Sequence, residues 1–344
     1  MEIKIIDPSR YYKWNTFIIN NFDPDVFHSS EWCLVLKSTY NFLPNYFLFS
    51  KDDQPLAVIP LMEIQGFIIG SRAVGLPFTD YCNPLKVNNL EILSLRKDII
   101  NYGQNKKWNY VEFRTSLFAE CQPPYETYYT HDIDLTISSN KLWTRLKSNN
   151  KRNIKKAIKL GLRIQFEKST RALEDFYRLQ VITRKRHGLP PQPFKFFKNV
   201  FENIILKKLG IIACTYYKNK MIAASIFFNF NHKAVFKYGA SDHLFHQLRP
   251  NNLIMWEAIN WHRENGCQLL NLGRTHKEDK GLLEYKRSWG GNESELRYFR
   301  FLFNKNRYIR SPLINYNLIF SSIGKCLPLP LLKLIGKHCY RQFA

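Results

Sequence analysis

The 344-residue sequence has no run of eighteen uninterrupted apolar residues, so it offers no ordinary membrane-spanning helix. Its first residues, MEIKIIDPSRYY, lack the basic start and apolar run of a secretory signal, and the chain reads as cytoplasmic. There is no Gly-x-Ser-x-Gly elbow, no His-Glu-x-x-His pair and no Cys-x-x-Cys, which sets aside serine hydrolysis, zincin chemistry and zinc ribbons. The cysteines (Cys33, Cys82, Cys121, Cys214, Cys267, Cys326, Cys339) are scattered, as reduced core thiols would be. His243 and His246 have no third ligand at a metal-like spacing, so they read as surface histidines and no metal is expected. Acidic residues are missing altogether from Asn304 to Ala344.

What is present fits a folded chain of two domains or one large one: 45% hydrophobic and 15% aromatic residues rule out disorder. The net charge of +23 is unevenly spread. Residues 1–140 hold 12 Lys/Arg and 16 Asp/Glu, while the remainder holds 39 against 12, so only the second part is basic. That asymmetry points to an anionic partner: nucleic acid, a phosphorylated substrate or a membrane surface.

Along the chain, helical periodicity at 11–20 and 30–40 precedes strands at 45–50, 55–64 and 67–77. The loop LPFTDYCNP (76–84) follows, with Asp80 either a turn former or an acid aimed into a cleft. A helix over 89–105 and strands YVEFR and THDIDLTI complete a first unit, 1–140. The second, 141–303, opens with a helix over 141–159, and eleven Lys/Arg face one acid between 141 and 171. This helix, with Arg152 on it, either grips a phosphate backbone or shows a solvated basic face. Further helices, a three-strand meander over 210–241, a helix from Pro250 to Gly266 and strands at 267–273 and 295–303 follow. Each half runs helix, helix, antiparallel strands, helix, strand, so the fold class is α+β in two similar copies with mostly antiparallel sheets. The tail, 304–344, carries LPLPLLKLIGKHCYRQF, which is short, apolar and basic. It either lies on an anionic membrane or packs on the domain.

The richest stretch is NLGRTHKEDKGLLEYKRSWGG (271–291): a strand tip at Gly273, cations Arg274, Lys277 and Lys280, then a helix from Gly281. A strand tip rimmed with cations is a common ligand position in α/β sheets. In that helix Leu282, Leu283, Tyr285 and Trp289 can pack inward while Lys286 and Arg287 project from one end. Arg274 suits bidentate binding of phosphate or carboxylate. Asn251 and Asn252 stand at a helix start that favours an anion. Tyr238, in the YGAS strand, either donates a hydrogen bond or fills core.

SSEWCLVLKSTY, IPLM, LPFTDYCNP, KSNNKRNIKKA, TRKRHGLP, YGAS, RPNNLIMWEAINWHRENG and NLGRTHKEDKGLLEYKRSWGG resemble the FemAB-like aminoacyltransferases. These form a branch of the GNAT acyltransferases that includes the BioF2-like proteins of polysaccharide and exosortase gene clusters. The resemblance covers residue 25 onward. It implies tandem GNAT-like domains, with transfer in the second and the acceptor in the groove between them. Lys286 matches the family lysine and would anchor substrate or stabilise an oxyanion. Asp80 would orient the amine or accept its proton, with Tyr238 as a third catalytic candidate. Arg274, Lys277, Asn251, Asn252, Tyr81, Arg152 and Trp289 are candidates for substrate binding. No tightly bound cofactor is expected. The pyrophosphate loop of ordinary acetyl-CoA enzymes is missing, its nearest match being Arg72-Ala-Val-Gly-Leu-Pro. The coiled-coil arm of the peptidoglycan-bridge enzymes is missing too. Aminoacyl-tRNA, an acyl-carrier thioester and acyl-CoA all stay open as donor. The expected product is an amide on a cell-envelope or polysaccharide precursor, nucleotide- or lipid-linked. A nucleic-acid-binding protein without catalysis is the alternative from another class.

Overall fold

A computed structural model describes residues 1–66, 70–87, 90, 92–115, 123–310 and 324–343. Parts of the strand expected at 67–77, of the helix expected at 89–105 and of the tail (311–323) lie outside the described residues. The chain divides into two compact units, Met1–Tyr129 with Glu295–Ile314 and Arg341–Ala344, and Thr130–Ser294 with Asn315–Tyr340. These bounds differ from the expected 1–140 and 141–303. Residues from Glu295 join the first unit because Tyr298–Leu302 pair with Arg114–Tyr110. Thr130–Asp134 join the second because Asp132–Asp134 pair with Asn271–Leu269.

The first stretch of chain forms β1 (Glu2–Ile6), α1 (Trp14–Asn21), α2 (Ser30–Tyr40), β2 (Leu43–Lys51), β3 (Gln54–Gly66), β4 (Gly70–Val74), β5 (Leu85–Lys86), α3 (Ile92–Asn105) and β6 (Tyr110–Arg114). Next come β7 (Glu126–Asp134), α4 (Ser139–Arg145), α5 (Ser148–Lys159), β8 (Arg163–Glu167), α6 (Thr170–Arg186), α7 (Phe194–Val200), β9 (Gly210–Tyr217), β10 (Lys220–Phe230) and β11 (Lys233–Ser241). The remainder forms α8 (Pro250–Glu264), β12 (Leu269–Asn271), β13 (Thr275–His276), α9 (Lys280–Arg287), β14 (Asn292–Leu302), β15 (Arg307–Tyr308) and α10 (Leu329–Cys339).

In the first unit the strand path is β1-β2-β3-β4-β6-β14, antiparallel except for β4 beside β6. In the second it is β8-β9-β10-β11-β12-β7, antiparallel except for β11 beside β12. The expected α+β fold with mostly antiparallel sheets is therefore present. β10 is buried almost throughout, as its continuous apolar run MIAASIFF requires of a central strand. The core of the second unit joins Ile154 and Ala157 of α5, Ile254, Ala258 and Ile259 of α8, and Phe227, Ala234 and Leu270 of the sheet. Burying each larger side chain contributes roughly 1.5–3 kcal/mol.

The single helix expected over 141–159 is two. Leu146 and Lys147 are extended, and the Lys147 N–H donates to Ser288 O (3.0 Å), so a long-range hydrogen bond overrides local helix propensity. β1 had no counterpart in the sequence reading, because its residues are mostly exposed on an edge strand and show no buried face.

Candidate active site

The one parallel pair of the second unit among the described residues is short. Lys233, Ala234 and Val235 match Leu269, Leu270 and Asn271; β11 then runs on to Ser241 while the other chain turns away at Gly273. Just past this pairing β11 bulges: Phe236 pairs with Phe227 and Tyr238 with Ile226, leaving Lys237 as the extra residue. A bulge re-aims the side chain that follows it. Tyr238 accordingly meets Phe196 and Phe197 of α7, with ring centroids 6.0 and 5.2 Å away.

Asn271 sets the direction of the departing chain. Its Nδ2 donates to Thr130 Oγ1 (2.7 Å) and Asp132 Oδ1 (2.6 Å), and its Oδ1 accepts the Gly273 N–H (2.7 Å). Both ends of the amide are thereby engaged. Gly273 has a φ of 72°, a left-handed conformation that glycine adopts without strain. The turn presents two carbonyls to the ammonium of Lys286, whose Nζ donates to Gly273 O (2.7 Å) and Arg274 O (3.1 Å). Lys286 is only 4% exposed. A buried cation needs such partners, since an unsatisfied one would be costly by several kcal/mol.

α9 carries Lys286 and is held along its length. Asp279 caps it by accepting the Leu282 N–H (3.1 Å). Arg287 makes a bidentate pair with Glu293 (2.6 and 2.8 Å), and Glu293 Oε2 lies 2.8 Å from Nε2 of fully buried His131. Burial pushes the His131 imidazole below its usual range, with Glu293 opposing and Lys286 and Arg287 adding to the depression. Beyond the helix, Ser288 receives Asn150 Nδ2 on both Oγ (2.8 Å) and O (3.1 Å), and Asn150 Oδ1 accepts Asn252 Nδ2 (2.9 Å). That network fastens α9 to α5 and to the start of α8. The two glycines of the WGG motif permit it: a Cβ on Gly290 would lie 2.7 Å from Arg145 O, and one on Gly291 2.9 Å from Asp132 O.

α8 begins beside the same strand end. Arg249 precedes it in the left-handed region (φ 63°), and Pro250 occupies its first turn. Asn251 Nδ2 approaches Ser241 Oγ (3.4 Å), and Ser241 Oγ is 2.9 Å from His246 Nε2. Arg186 donates toward His246 Nε2 (3.3 Å) and His187 Nε2 (3.2 Å). Burial, reinforced by Arg186, lowers the pKa of both histidines, so they stand neutral as acceptors at pH 7. Tyr285 OH reaches Asn251 O (3.3 Å), joining α9 to α8. A helix N-terminus flanked by Arg186 and Arg249 is suited to an anion.

Lys286, Arg274, Tyr238, Asn251 and Asn252 therefore lie on elements meeting at the ends of β11 and β12. Arg274 is half-buried and Lys277 exposed on the following turn. Trp289 is 1% exposed within the core, where its ring packs 5.9 Å from Tyr285, so it supports α9 and has no surface to offer a substrate. Arg152 sits on the exposed face of α5, opposite Ile154 and Ala157. Asp80 and Tyr81 belong to the first unit: Asp80 O accepts Tyr298 OH (2.5 Å), and Tyr81 packs edge-on against Phe27. Sequence reasoning missed His131, Glu293, Asn271, Asn150, Ser241 and Arg186. His246, read from sequence as a surface residue, is half-buried and holds Ser241. A polar Asn between apolar strand residues, just before Gly273, was the one available signal.

The matching place in the first unit is built differently. β4 and β6 pair through Ala73–Val111 and Val74–Glu112, after which the loop returns over β6, with Gly75 N–H on Glu112 O and Cys82 N–H on Arg114 O (each 2.8 Å). Arg114 donates to Glu112 (2.8 Å) and to Leu76 O (3.2 Å), while Arg300 and Tyr125 OH also donate to the Glu112 carboxylate. Burial alone would raise the Glu112 pKa, but Arg300 and Arg114 hold it well below the carboxylate range. Leu76 and Phe78 adopt positive φ (47° and 62°) inside this tightly tied loop.

Residues 144–287 match the family model described as an acetyltransferase (GNAT) domain. Among solved structures, FemX is similar over 89% of this chain and 98% of its own, with a TM-score of 0.71 at 14% identity. L-PGS from Bacillus licheniformis is similar over 94% and 98%, with 0.56 at 11%. A tandem GNAT protein from the clavulanic acid biosynthesis pathway is similar over 88% and 98%, with 0.55 at 7%. No curated protein matches the sequence.

Proposed function

We propose that this chain, whose residues 144–287 match a GNAT acetyltransferase domain and whose fold is that of FemX, is an acyltransferase that forms an amide on an amino group of a phosphorylated or lipid-linked cell-envelope precursor. The observation that carries this reading is the parting of β11 from β12, with Lys286 fixed at the β12 end and the start of α8 beside it. When an amine attacks an ester or thioester, the carbonyl oxygen becomes an oxyanion that needs preset positive charge or N–H donors. Lys286 brings its charge there and holds the Gly273 and Arg274 carbonyls, and we assign the Arg274 side chain to a substrate phosphate. Tyr238, the residue after the bulge, is the group we assign to pass the proton that the amine releases. Asn251, Asn252 and Lys277 complete the phosphate contacts, with Arg186 and Arg249 favouring an anionic donor such as aminoacyl-tRNA, a carrier thioester or acyl-CoA.

Mass spectrometry of the small molecules and tRNAs that co-purify with wild type and with Lys286→Ala tests the reading. A sugar or peptide precursor, a CoA or carrier thioester, or a charged tRNA supports it and names the acceptor or donor class. A second reading, nucleic-acid binding without catalysis, is favoured by one observation: Arg152, Lys155, Lys156 and Lys159 form an exposed stripe on α5. Heterogeneous RNA on both proteins, with affinity falling by orders of magnitude between about 50 and 200 mM salt, would select it.

A further inference from the structure

α10 turns one face inward and leaves a different one outside. Leu332 is fully buried, and Gly336, one turn on, meets the loop after α6: a Cβ there would lie 2.0 Å from Pro191 O. Facing out are Leu331 (42% exposed) and Leu334 (52%), three apart and so on one side of the helix, with Lys333, Lys337 and His338 also exposed. A single exposed leucine needs no explanation. Two on one side of a short helix, with cations beside them and no acid from Asn304 to Ala344, form the pattern of a helix lying in an anionic lipid interface. A nucleic acid would satisfy the lysines and leave the leucines in water.

The position of α10 adds to this. Its inner face abuts Pro191, close after His187 at the end of α6. Lys325, just before α10, acts electrostatically on His187 together with Arg184 and Arg186. Arg186 belongs to the cation cluster beside the start of α8. The tail helix and the candidate site therefore share one end of the second unit.

We infer that α10 docks this protein on an anionic phospholipid surface, with Leu331 and Leu334 inserted among the acyl chains and Lys325, Lys333 and Lys337 at the headgroups. Docking there brings the site beside α8 to the membrane plane, so the acceptor is lipid-linked. This second step rests on the acyl-transfer reading; the docking does not.

The test is co-sedimentation of the full chain with vesicles of phosphatidylcholine alone, or of phosphatidylcholine and phosphatidylglycerol at three to one. Wild type should bind the anionic vesicles at least about tenfold better. Leu331→Ser with Leu334→Ser should lose about tenfold while the melting temperature stays unchanged, because both side chains are exposed in the folded chain. Lys333→Ala with Lys337→Ala should weaken binding and reduce its salt dependence. A stripe variant of α5 (Arg152→Ala, Lys155→Ala, Lys156→Ala, Lys159→Ala) should still bind. The inference is overturned if wild type does not distinguish the vesicles, if the leucine variant binds like wild type, or if only the α5 variant loses binding. Ligands that co-purify are read separately, so a failure here and a failure of acyl transfer are told apart.

Discussion

The two units follow the same strand order, and among the described residues each contains one parallel pair, β4 with β6 and β11 with β12. Where the first pair ends, the chain's own loop returns and a buried cluster of Glu112, Arg114, Arg300 and Tyr125 ties it down. Where the second ends, β11 bulges, β12 turns off, and Lys286 and the start of α8 arrive from elsewhere in the unit. One architecture thus carries charge in two ways: in the first unit Glu112 is met by Arg114 and Arg300, whereas in the second Lys286 is held by the Gly273 and Arg274 carbonyls at the strand end.

The comparison can be broken most forcefully at Glu112. Glu112→Gln leaves Arg114 and Arg300 without their carboxylate and should lower stability by about 3–5 kcal/mol, read from urea unfolding. Acid should distinguish the units next. His262 is fully buried, and burial lowers its pKa to about 3, so the folded state keeps it neutral while the unfolded state takes a proton near 6.5. The unfolded chain therefore binds more protons in that window, and stability contributed by neutral His262 is present above pH 6.5 and lost as pH falls toward about 3. His262→Phe should remove about 3 kcal/mol of this loss between pH 6.5 and about 4, shown by a flatter plot of unfolding free energy against pH. Glu112 keeps its charge through that range, so the first unit should resist the same acidification. A smaller effect, about 1–3 kcal/mol, is expected for Asn150→Ala, which strands Ser288 and Asn252; thermal unfolding measures it. If Asn150→Ala proves neutral, the brace between α9 and α8 is not what holds Lys286 in place.

The repeated α+β plan was legible because strand alternation and helix periodicity are local signals, and the 271–291 motif was legible because its glycines and cations are concentrated. Other features depend on partners far along the chain. The break between α4 and α5 follows from the hydrogen bond of Lys147 to Ser288, and the role of His131 follows from Glu293; neither has a local pattern. Trp289 was legible as core and wrong as a ligand contact, because a large ring beside a motif offers both meanings until its burial is known. β1 escaped notice for the opposite reason: with most of its residues exposed, its sequence carries little trace of the strand.

The central claim is that the open end of the second unit performs acyl transfer with Lys286 at its centre. Its most direct test is the turnover of Lys286→Ala, using the donor and acceptor identified by co-purification. A loss of at least about tenfold, or about 1.4 kcal/mol of transition-state stabilisation, with the fold intact, is the expected result. Turnover equal to wild type would contradict it.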